Sequence, residues 1–364
     1  MEEHIKRAFE SFEIEGAPIQ ADPIKTGHIN QTYLIRTDLG GLYILQQINS
    51  RVFLDPEAVI ENKVRVAAHI AGKRGHLPPE EFGRRVLRFF DKRSGGYLHR
   101  DDAGDWWNLL NYIEDSRVYL KTPNAKVARE AGKAIGIFLR DTEDLDPDSL
   151  NVTIPRFHSM ALRYAQFDEA VASGSDERKR EAEELIEGAF ALRSEMQSLE
   201  RRVNEDRIPT RVTHNDTKIS NVLFSENDEA LCMIDLDTVM PGVVHFDFGD
   251  AVRTICNKGD EDEKDIANVG FDLGFFEAFV EGFLGDSGIV LTPSEIEGLA
   301  FSSQVMTFIV GLRMLTDFLN NDVYFDTAYE THNLVRARSQ FRLADLIGER
   351  LEEMEEIVAK ESKK

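Results

Sequence analysis

The segment THNDTKISN, residues 213–221, carries four side chains suited to chemistry: His214, Asp216, Lys218 and Asn221. The run NVLFSENDEALCMIDLD follows, reads as two short apolar strands around the turn SENDE, and ends on Asp235 and Asp237. A loop carboxylate, a lysine two residues on, an asparagine five residues on and a second carboxylate at the end of a hairpin suit phosphoryl transfer. That reaction is mostly positioning and charge neutralisation, so it needs a carboxylate at the acceptor hydroxyl and oxygen ligands for Mg²⁺. Asp216 would orient and deprotonate the hydroxyl, and Lys218 would reach the transferring phosphate. Asn221 and Asp235 would hold the metal through hard oxygen donors. A rival reading makes His214, Asp216, Asp235 and His245 the ligands of a metal-dependent hydrolase, which would not require Asn221 at this spacing.

Such a loop needs a frame. TGHINQTYLIRTDLGGLYILQQIN reads as a β-hairpin in which Tyr33 and Ile35 alternate against Tyr43 and Leu45 across Gly40-Gly41. Phe12 to Pro23 is a mixed, Pro- and Gly-bearing lead-in to it. A helix follows, with apolar positions at Val59, Ile60, Val64, Ala67 and Ala68. A second hairpin, Gly96 to Glu114, turns at DDAGD and returns through Trp106 to Ile113. Beyond a short connector near Asn111 to Ser116 the pattern becomes helical, with stripes at 127, 128, 131, 134, 135 and 138 and at 182, 185, 186, 189, 192, 196 and 199. Residues 264–351 are also mostly helical, and RLEEMEEIVAKESKK reads as a charged, fraying tail. The fold class is therefore α+β and two-lobed. A small β-sheet lobe spans 1–113, and a large, mostly helical lobe spans 114–364 and carries the loop and the acceptor pocket.

Composition narrows the function. The chain has 364 residues and a net charge of -23, which disfavours nucleic-acid binding and docking on anionic membranes. Its 2 cysteines make no disulfide framework and fit a reducing, cytoplasmic setting. The N-terminus has no apolar signal core, and the run VMTFIVGLRML is too short to cross a bilayer. The expected partners are small molecules, with no nucleic acid and no membrane, for a monomer or homodimer.

His-x-Asp-x-Lys-x-x-Asn followed by a metal-binding aspartate resembles the protein-kinase catalytic loop. HNDTKISN with MIDLD and MPGVVHFDFGD is closer to the aminoglycoside phosphotransferase and choline kinase superfamily. Within it, GHIN, TYLI, YILQQIN, IDLDTVMPG, FDFGD and DVYFDTAYETHNLVRARSQ are similar to the bacterial N-acetylhexosamine 1-kinases. The resemblance runs from about Ile24 to Phe341. It implies a protein-kinase-like fold with Asp216 as catalytic base, Asn221 and Asp235 as metal ligands, and ATP and Mg²⁺ as cofactors. The acceptor it implies is an N-acetylhexosamine or related hexose phosphorylated at C1. His214 would brace the loop, and Asp247 would hold the loop's backbone amides. Asp237 and Asp250 are open between solvated or capping carboxylates and functional ones.

The resemblance also assigns the nucleotide to the sheet lobe. TGHIN would turn over the phosphates, with Gly27 permitting close backbone approach and Asn30 ending the turn. Adenine would lie against the connector near Tyr112 and Glu114. The strand that normally supplies a lysine or arginine to the α- and β-phosphates offers Gln46 and Gln47 here, a pair shared with the N-acetylhexosamine 1-kinases. An amide gives no full charge, so Mg²⁺ and Lys218 would carry more of the phosphate charge. The helix partner is open, with Glu57 and Glu61 as candidates. His28, Arg313 and Tyr324 are the acceptor candidates. Arg313, in an apolar helix, needs a ligand, an internal carboxylate such as Asp317, or a path to solvent, and Tyr324 is open between pocket and packing. The stretch after FDFGD lacks an aromatic for stacking on a sugar.

Overall fold

The computed structural model describes residues 1–24, 29–205 and 207–364. The sheet lobe begins with helix α1 (Glu3–Glu10) and strands β1 (Pro18–Ile24), β2 (Gln31–Thr37) and β3 (Leu42–Ile48). Helices α2 (Pro56–Arg74) and α3 (Pro79–Arg85) lead into β4 (His99–Arg100) and β5 (Trp106–Asn111). The strands form one antiparallel sheet in the order β1-β2-β3-β5-β4. The expected first hairpin is present in register, with Ile35 opposite Tyr43 and Tyr33 opposite Leu45.

Two expectations need correction here. The lead-in contains strand β1, whose Pro18 and Pro23 hid it. Proline cannot donate to a ladder, but β1 is an edge strand and has a free side. The helix after β3 also buries a different face. Val59, Ile60, Val66 and Ala67 are buried as apolar residues should be, while Ala68 is exposed and Asn62 and Lys63 are buried.

The helical lobe opens with β6 (Ser116–Arg117) and α4 (Ala125–Asp141). Then come α5 (Met160–Ser173), α6 (Asp176–Glu181), α7 (Glu183–Met196) and α8 (Ser198–Asn204). Four short strands follow: β7 (Arg211–Thr213), β8 (Val222–Ser225), β9 (Ala230–Met233) and β10 (Met240–Gly242). The chain closes with α9 (Val244–Ile255), α10 (Leu273–Val280), α11 (Pro293–Ile296), α12 (Leu299–Leu319), α13 (His332–Gly348) and α14 (Leu351–Glu361). β8 and β9 form the expected hairpin, joined at its edge by β6. The tail does not fray. It forms α14, which buries Met354 and Val358 in the same apolar cluster as α4 and α10.

Helix α12 is long and apolar enough to cross a membrane, but 78% of its most apolar stretch is buried inside the protein. It packs on α9 and α13 as the central rod of the lobe. One apolar cluster runs from Val59, Ile60 and Val66 of α2 through Val127 and Phe138 of α4 to Val222 and Phe224 of β8. Helix α2 thus ties the sheet lobe to the hairpin that ends on Asp235.

The interface between α4 and the turn after α10 depends on missing side chains. A Cβ on Gly282 would stand 1.9 Å from the carbonyl oxygen of Arg129, and one on Gly132 would stand 2.1 Å from that of Phe279. Both obstacles are backbone, so the helices would have to separate. Gly282→Ala is expected to cost roughly 1–3 kcal/mol or more, read as a lowered melting temperature. An unchanged melting temperature would show that this contact does not limit stability.

Candidate active site

Strand β7 delivers the chain into the loop His214–Asn221, and β10 pairs with β7 to hold its start. A Cβ on Gly242 would meet Thr213 Oγ1 at 2.3 Å, so the pairing needs glycine there. Helix α9 then presents Asp247 to the loop. Its carboxylate accepts the backbone N–H of His214 at 2.8 Å and of Asn215 at 2.7 Å. The Thr217 hydroxyl donates to the Asp247 carbonyl at 2.5 Å, and the Thr238 hydroxyl donates to the His214 carbonyl at 2.7 Å. Burial pushes Asp247 up to about 6, against the pull of His214 and the two amides. His214 is fully buried, packs edge-on against Phe138 with ring centres 5.6 Å apart, and bonds through Nε2 to the Ile234 carbonyl at 2.9 Å.

This clamp leaves Asp216 facing outward with a quarter of its side chain exposed. Lys218 Nζ lies 2.7 Å from Asp216 Oδ2. Asn221 Nδ2 donates to the Asp216 carbonyl at 2.8 Å and to Oδ2 at 3.0 Å. Burial works to raise the Asp216 pKa, but the Lys218 ammonium outweighs it and holds the carboxyl below its usual range. Burial also opposes the charge on Lys218, and Asp216 and Asp235 overcome it, so the lysine stays protonated.

Asp235 ends the hairpin in a left-handed conformation, φ 63°, which asparagine and aspartate adopt more readily than other residues with a Cβ. Burial first, and then the carboxylates of Asp237 and Asp216, push Asp235 up to about 7 against Lys218 and Lys63. A cation fits this site. The nitrogen of Asn221 is committed to Asp216, which leaves its amide oxygen as a hard donor beside an undercompensated carboxylate. Among the described residues no group of three or more His, Cys, Asp or Glu side chains could hold a metal alone. The four-ligand hydrolase set therefore does not assemble, and His245 Nε2 instead bonds the Glu297 carbonyl at 3.0 Å. Two donors completed by phosphate oxygens are the usual arrangement for Mg²⁺.

On the sheet-lobe side the residue that sequence reasoning missed is Lys63. Its ammonium pairs with Asp237, both side chains being at most 5% exposed, and donates to Gln46 Oε1 at 2.7 Å. The helix partner of the strand is thus a lysine, while Glu57 and Glu61 are exposed. Strand and helix have exchanged roles, with the amide on β3 and the charge on α2. A polar residue at 63 breaking an apolar stripe was the available signal. Asp237 is neither solvated nor a cap: it also accepts from Asn30 Nδ2, whose Oδ1 receives the Asn49 N–H at 2.8 Å. Asp250 forms a buried pair with Arg253, Nε to Oδ1 being 2.9 Å, a structural role. Gly27 and His28 lie outside the described residues. Tyr112 is half-buried and Glu114 exposed in the connector, where Ser116 Oγ donates to the Ile113 carbonyl at 2.6 Å.

Arg313 is half-buried and makes no pair with Asp317. That aspartate accepts the backbone N–H groups of Val323, Tyr324 and Phe325 and the amide of Asn333. The guanidinium of Arg313 lies over the rings of Phe157, Tyr324 and Phe325 at 5.6, 5.7 and 5.5 Å. Tyr324 is 58% exposed, so it is not core packing. The aromatics around Arg313 therefore come from before α5 and after α12, not from the stretch after FDFGD. His158 joins this side to the catalytic loop, its Nε2 lying 3.0 Å from the Asn215 carbonyl.

A two-lobed fold with a clamped loop carboxylate, a neighbouring asparagine and a hairpin-end aspartate defines a phosphotransferase of protein-kinase-like fold. Residues 20–282 match the phosphotransferase enzyme family known as APH, and the chain belongs to that family. Its fold is shared with a microcompartment-associated aminopropanol kinase at 15% identity and TM-score 0.65, over 96% of this chain and 97% of that one. An amicoumacin kinase in complex with AMP-PNP, Ca²⁺ and Ami is 13% identical with TM-score 0.58, over 95% and 94%. A choline kinase from Cryptosporidium parvum is 13% identical with TM-score 0.57, over 96% of each chain.

Proposed function

We propose that this small-molecule phosphotransferase moves the γ-phosphoryl group of ATP to the anomeric hydroxyl of an N-acetylhexosamine or related hexose, giving a sugar 1-phosphate and ADP. The observation that carries the phosphotransfer is the geometry at Asp216, a carboxylate clamped from behind, part exposed in front, and flanked by Lys218 and Asn221. Asp216 orients the acceptor hydroxyl. As the oxygen–phosphorus bond forms and the bond to the ADP oxygen breaks, its carboxylate takes the hydroxyl proton. Lys218 bears on the transferring group. Asn221 and Asp235 would hold Mg²⁺, which would neutralise charge on the phosphates. Support for a sugar acceptor comes from the motif resemblance, from GHIN to DVYF.

A second reading takes an amino alcohol, choline-like amine or aminoglycoside as acceptor, favoured by the names of the aminopropanol and choline kinases of the same fold. ADP release across free hexoses, N-acetylhexosamines, amino alcohols and aminoglycosides separates the two, and phosphorus NMR of the product distinguishes C1 from C6 transfer. Acceptor-independent phosphate release from esters, with no acceptor-dependent ADP release, overturns both.

Lys218 and Gln46 make separable predictions. Lys218→Ala is expected to lower kcat by about 10²-fold, since it removes a charge aimed at the transferring group. Gln46→Ala is expected to act on ATP affinity more than on kcat, because Gln46 contacts Lys63 and not the catalytic loop. A silent lysine change with an inactive glutamine variant reverses this assignment.

A further inference from the structure

Asn215, the residue before Asp216, holds a left-handed backbone, φ 64°, which a residue with a Cβ rarely adopts. The chain turns there, so the two peptide units around Asn215 set the direction in which Asp216 points. Its N–H is fixed by Asp247 of α9 at 2.7 Å. Its side-chain amide donates to the Thr213 and Thr238 carbonyls at 3.2 and 3.1 Å. Its carbonyl, which shares a peptide unit with the Asp216 N–H, lies 3.0 Å from His158 Nε2, and among the described residues no other group bonds it. A carbonyl only accepts, so Nε2 carries the proton.

His158 is itself held in place. Its ring packs against those of Phe157 and Phe246, with ring centres 4.4 and 5.0 Å away. Phe246 adjoins Asp247 on α9, so one helix fixes the Asn215 N–H directly and also packs the ring that holds the Asn215 carbonyl. The chain is pinned on both sides of that ring. Arg163 donates to the Phe157 carbonyl at 2.7 Å, and the Ser159 hydroxyl caps α5 by accepting the Leu162 N–H at 3.2 Å. Burial first, and then the Arg313 charge, pull His158 down to about 3, against the Asn215 carbonyl and Asp216. The imidazole therefore stays neutral and is too weak a base to take the acceptor's proton.

We propose that His158 is a positioning residue for phosphoryl transfer: its Nε2–H holds the Asn215 carbonyl and so fixes the peptide that aims the Asp216 carboxylate at the acceptor hydroxyl. The loop is then clamped at two points. Asp247 takes the amide N–H groups ahead of Asp216, and His158, from 57 positions earlier in the chain, donates to the carbonyl next to it. Losing the second bond would leave the Asn215–Asp216 peptide free to rotate and carry the carboxylate with it. A misplacement of about 1 Å can cost about 10²-fold in rate. The inference rests on the small-molecule kinase reading and deepens it with a residue that acts through Asp216 and takes no proton itself.

Two variants separate the ring from its proton. His158→Phe keeps the packing against Phe157 and Phe246 and loses the donor, while His158→Gln loses the ring and keeps an N–H at the place of Nε2. Both are assayed on the full chain by ADP release with ATP and Mg²⁺, using the acceptor panel above and water alone as acceptor, with melting temperatures read alongside. The expected result is a kcat lowered about 10–10²-fold in His158→Phe with KM for ATP within about twofold, and most of that loss recovered in His158→Gln. In an Asp216→Asn background His158→Phe should lower kcat by no more than about twofold further, because its effect runs through that carboxylate. Nitrogen-15 NMR at about pH 7 should show a neutral ring protonated at Nε2 in the histidine signal that His158→Phe removes. Activity that follows the ring and not the donor, a His158→Phe kcat within about threefold of the parent, an additive loss in the Asp216→Asn background, or a ring protonated at Nδ1 each overturns the inference and leaves the kinase reading standing. A parent protein that releases ADP with none of these acceptors, water included, overturns both.

Discussion

Asp216→Asn is expected to lower kcat by about 10²–10⁴-fold, the range attributed to a positioned general base, while nucleotide still binds. The substitution keeps the shape of the side chain and removes its charge and its ability to take a proton. The loop should survive it, because the amides of His214 and Asn215 are held by Asp247 and not by Asp216. The Lys218 ammonium loses its partner at 2.7 Å and turns to solvent or phosphate, so nucleotide affinity should hold or rise. Steady-state ADP release and nucleotide titration on the same preparation separate the two effects. A kcat within about tenfold of the parent protein would remove Asp216 from the chemistry.

Lys63→Met is expected to have the largest effect on stability, roughly 3–5 kcal/mol, because it strands the buried carboxylate of Asp237. Asn30 alone would then satisfy that charge. For a chain of this size the loss corresponds to a melting temperature lowered by roughly 4–7 °C. The companion variant Lys63→Met with Asp237→Leu removes both charges and should recover most of the loss. The same pair separates structure from function. If Lys63 only ties α2 to the turn after Asp235, the double variant should regain ATP affinity with stability. If Lys63 also serves the phosphates through its place beside Gln46, the double variant should be stable and still bind ATP poorly. A single variant as stable as the parent would show that the pair contributes nothing net.

Much of the architecture was legible because it rests on local periodicity. The β2–β3 hairpin follows from alternating apolar residues around Gly40-Gly41, and α4 from a helical stripe whose predicted positions are all buried. The catalytic loop was legible for a similar reason. Asp216, Lys218 and Asn221 lie within a few residues of one another, and a short hairpin returns the chain to Asp235, so spacing alone placed them together. What periodicity could not show was polar burial. Lys63 pairs with Asp237 across 174 positions, and a lysine on a helix reads as solvent-facing until its partner is known. β1 was hidden for the opposite reason, since its prolines are tolerable only at a sheet edge, and being an edge is a property of the assembled sheet.

The surroundings of Arg313, the proposed acceptor side, were decided by tertiary structure more than any other part. Arg313 was visible as an odd residue in an apolar helix, but its surroundings were not. Asp317, its natural partner by helical spacing, is taken up by the backbone of residues 323–325, and Phe157 and Arg163 arrive from the other side of the lobe. Phosphotransfer chemistry is carried by groups close in the chain, because the reacting atoms must be held to within fractions of an ångström by one short, clamped loop. Acceptor recognition is carried by groups far apart in the chain, because a pocket is the space left between packed elements. Local order therefore reveals the loop, and only the packing of α5 and α12 around Phe157 reveals what surrounds Arg313.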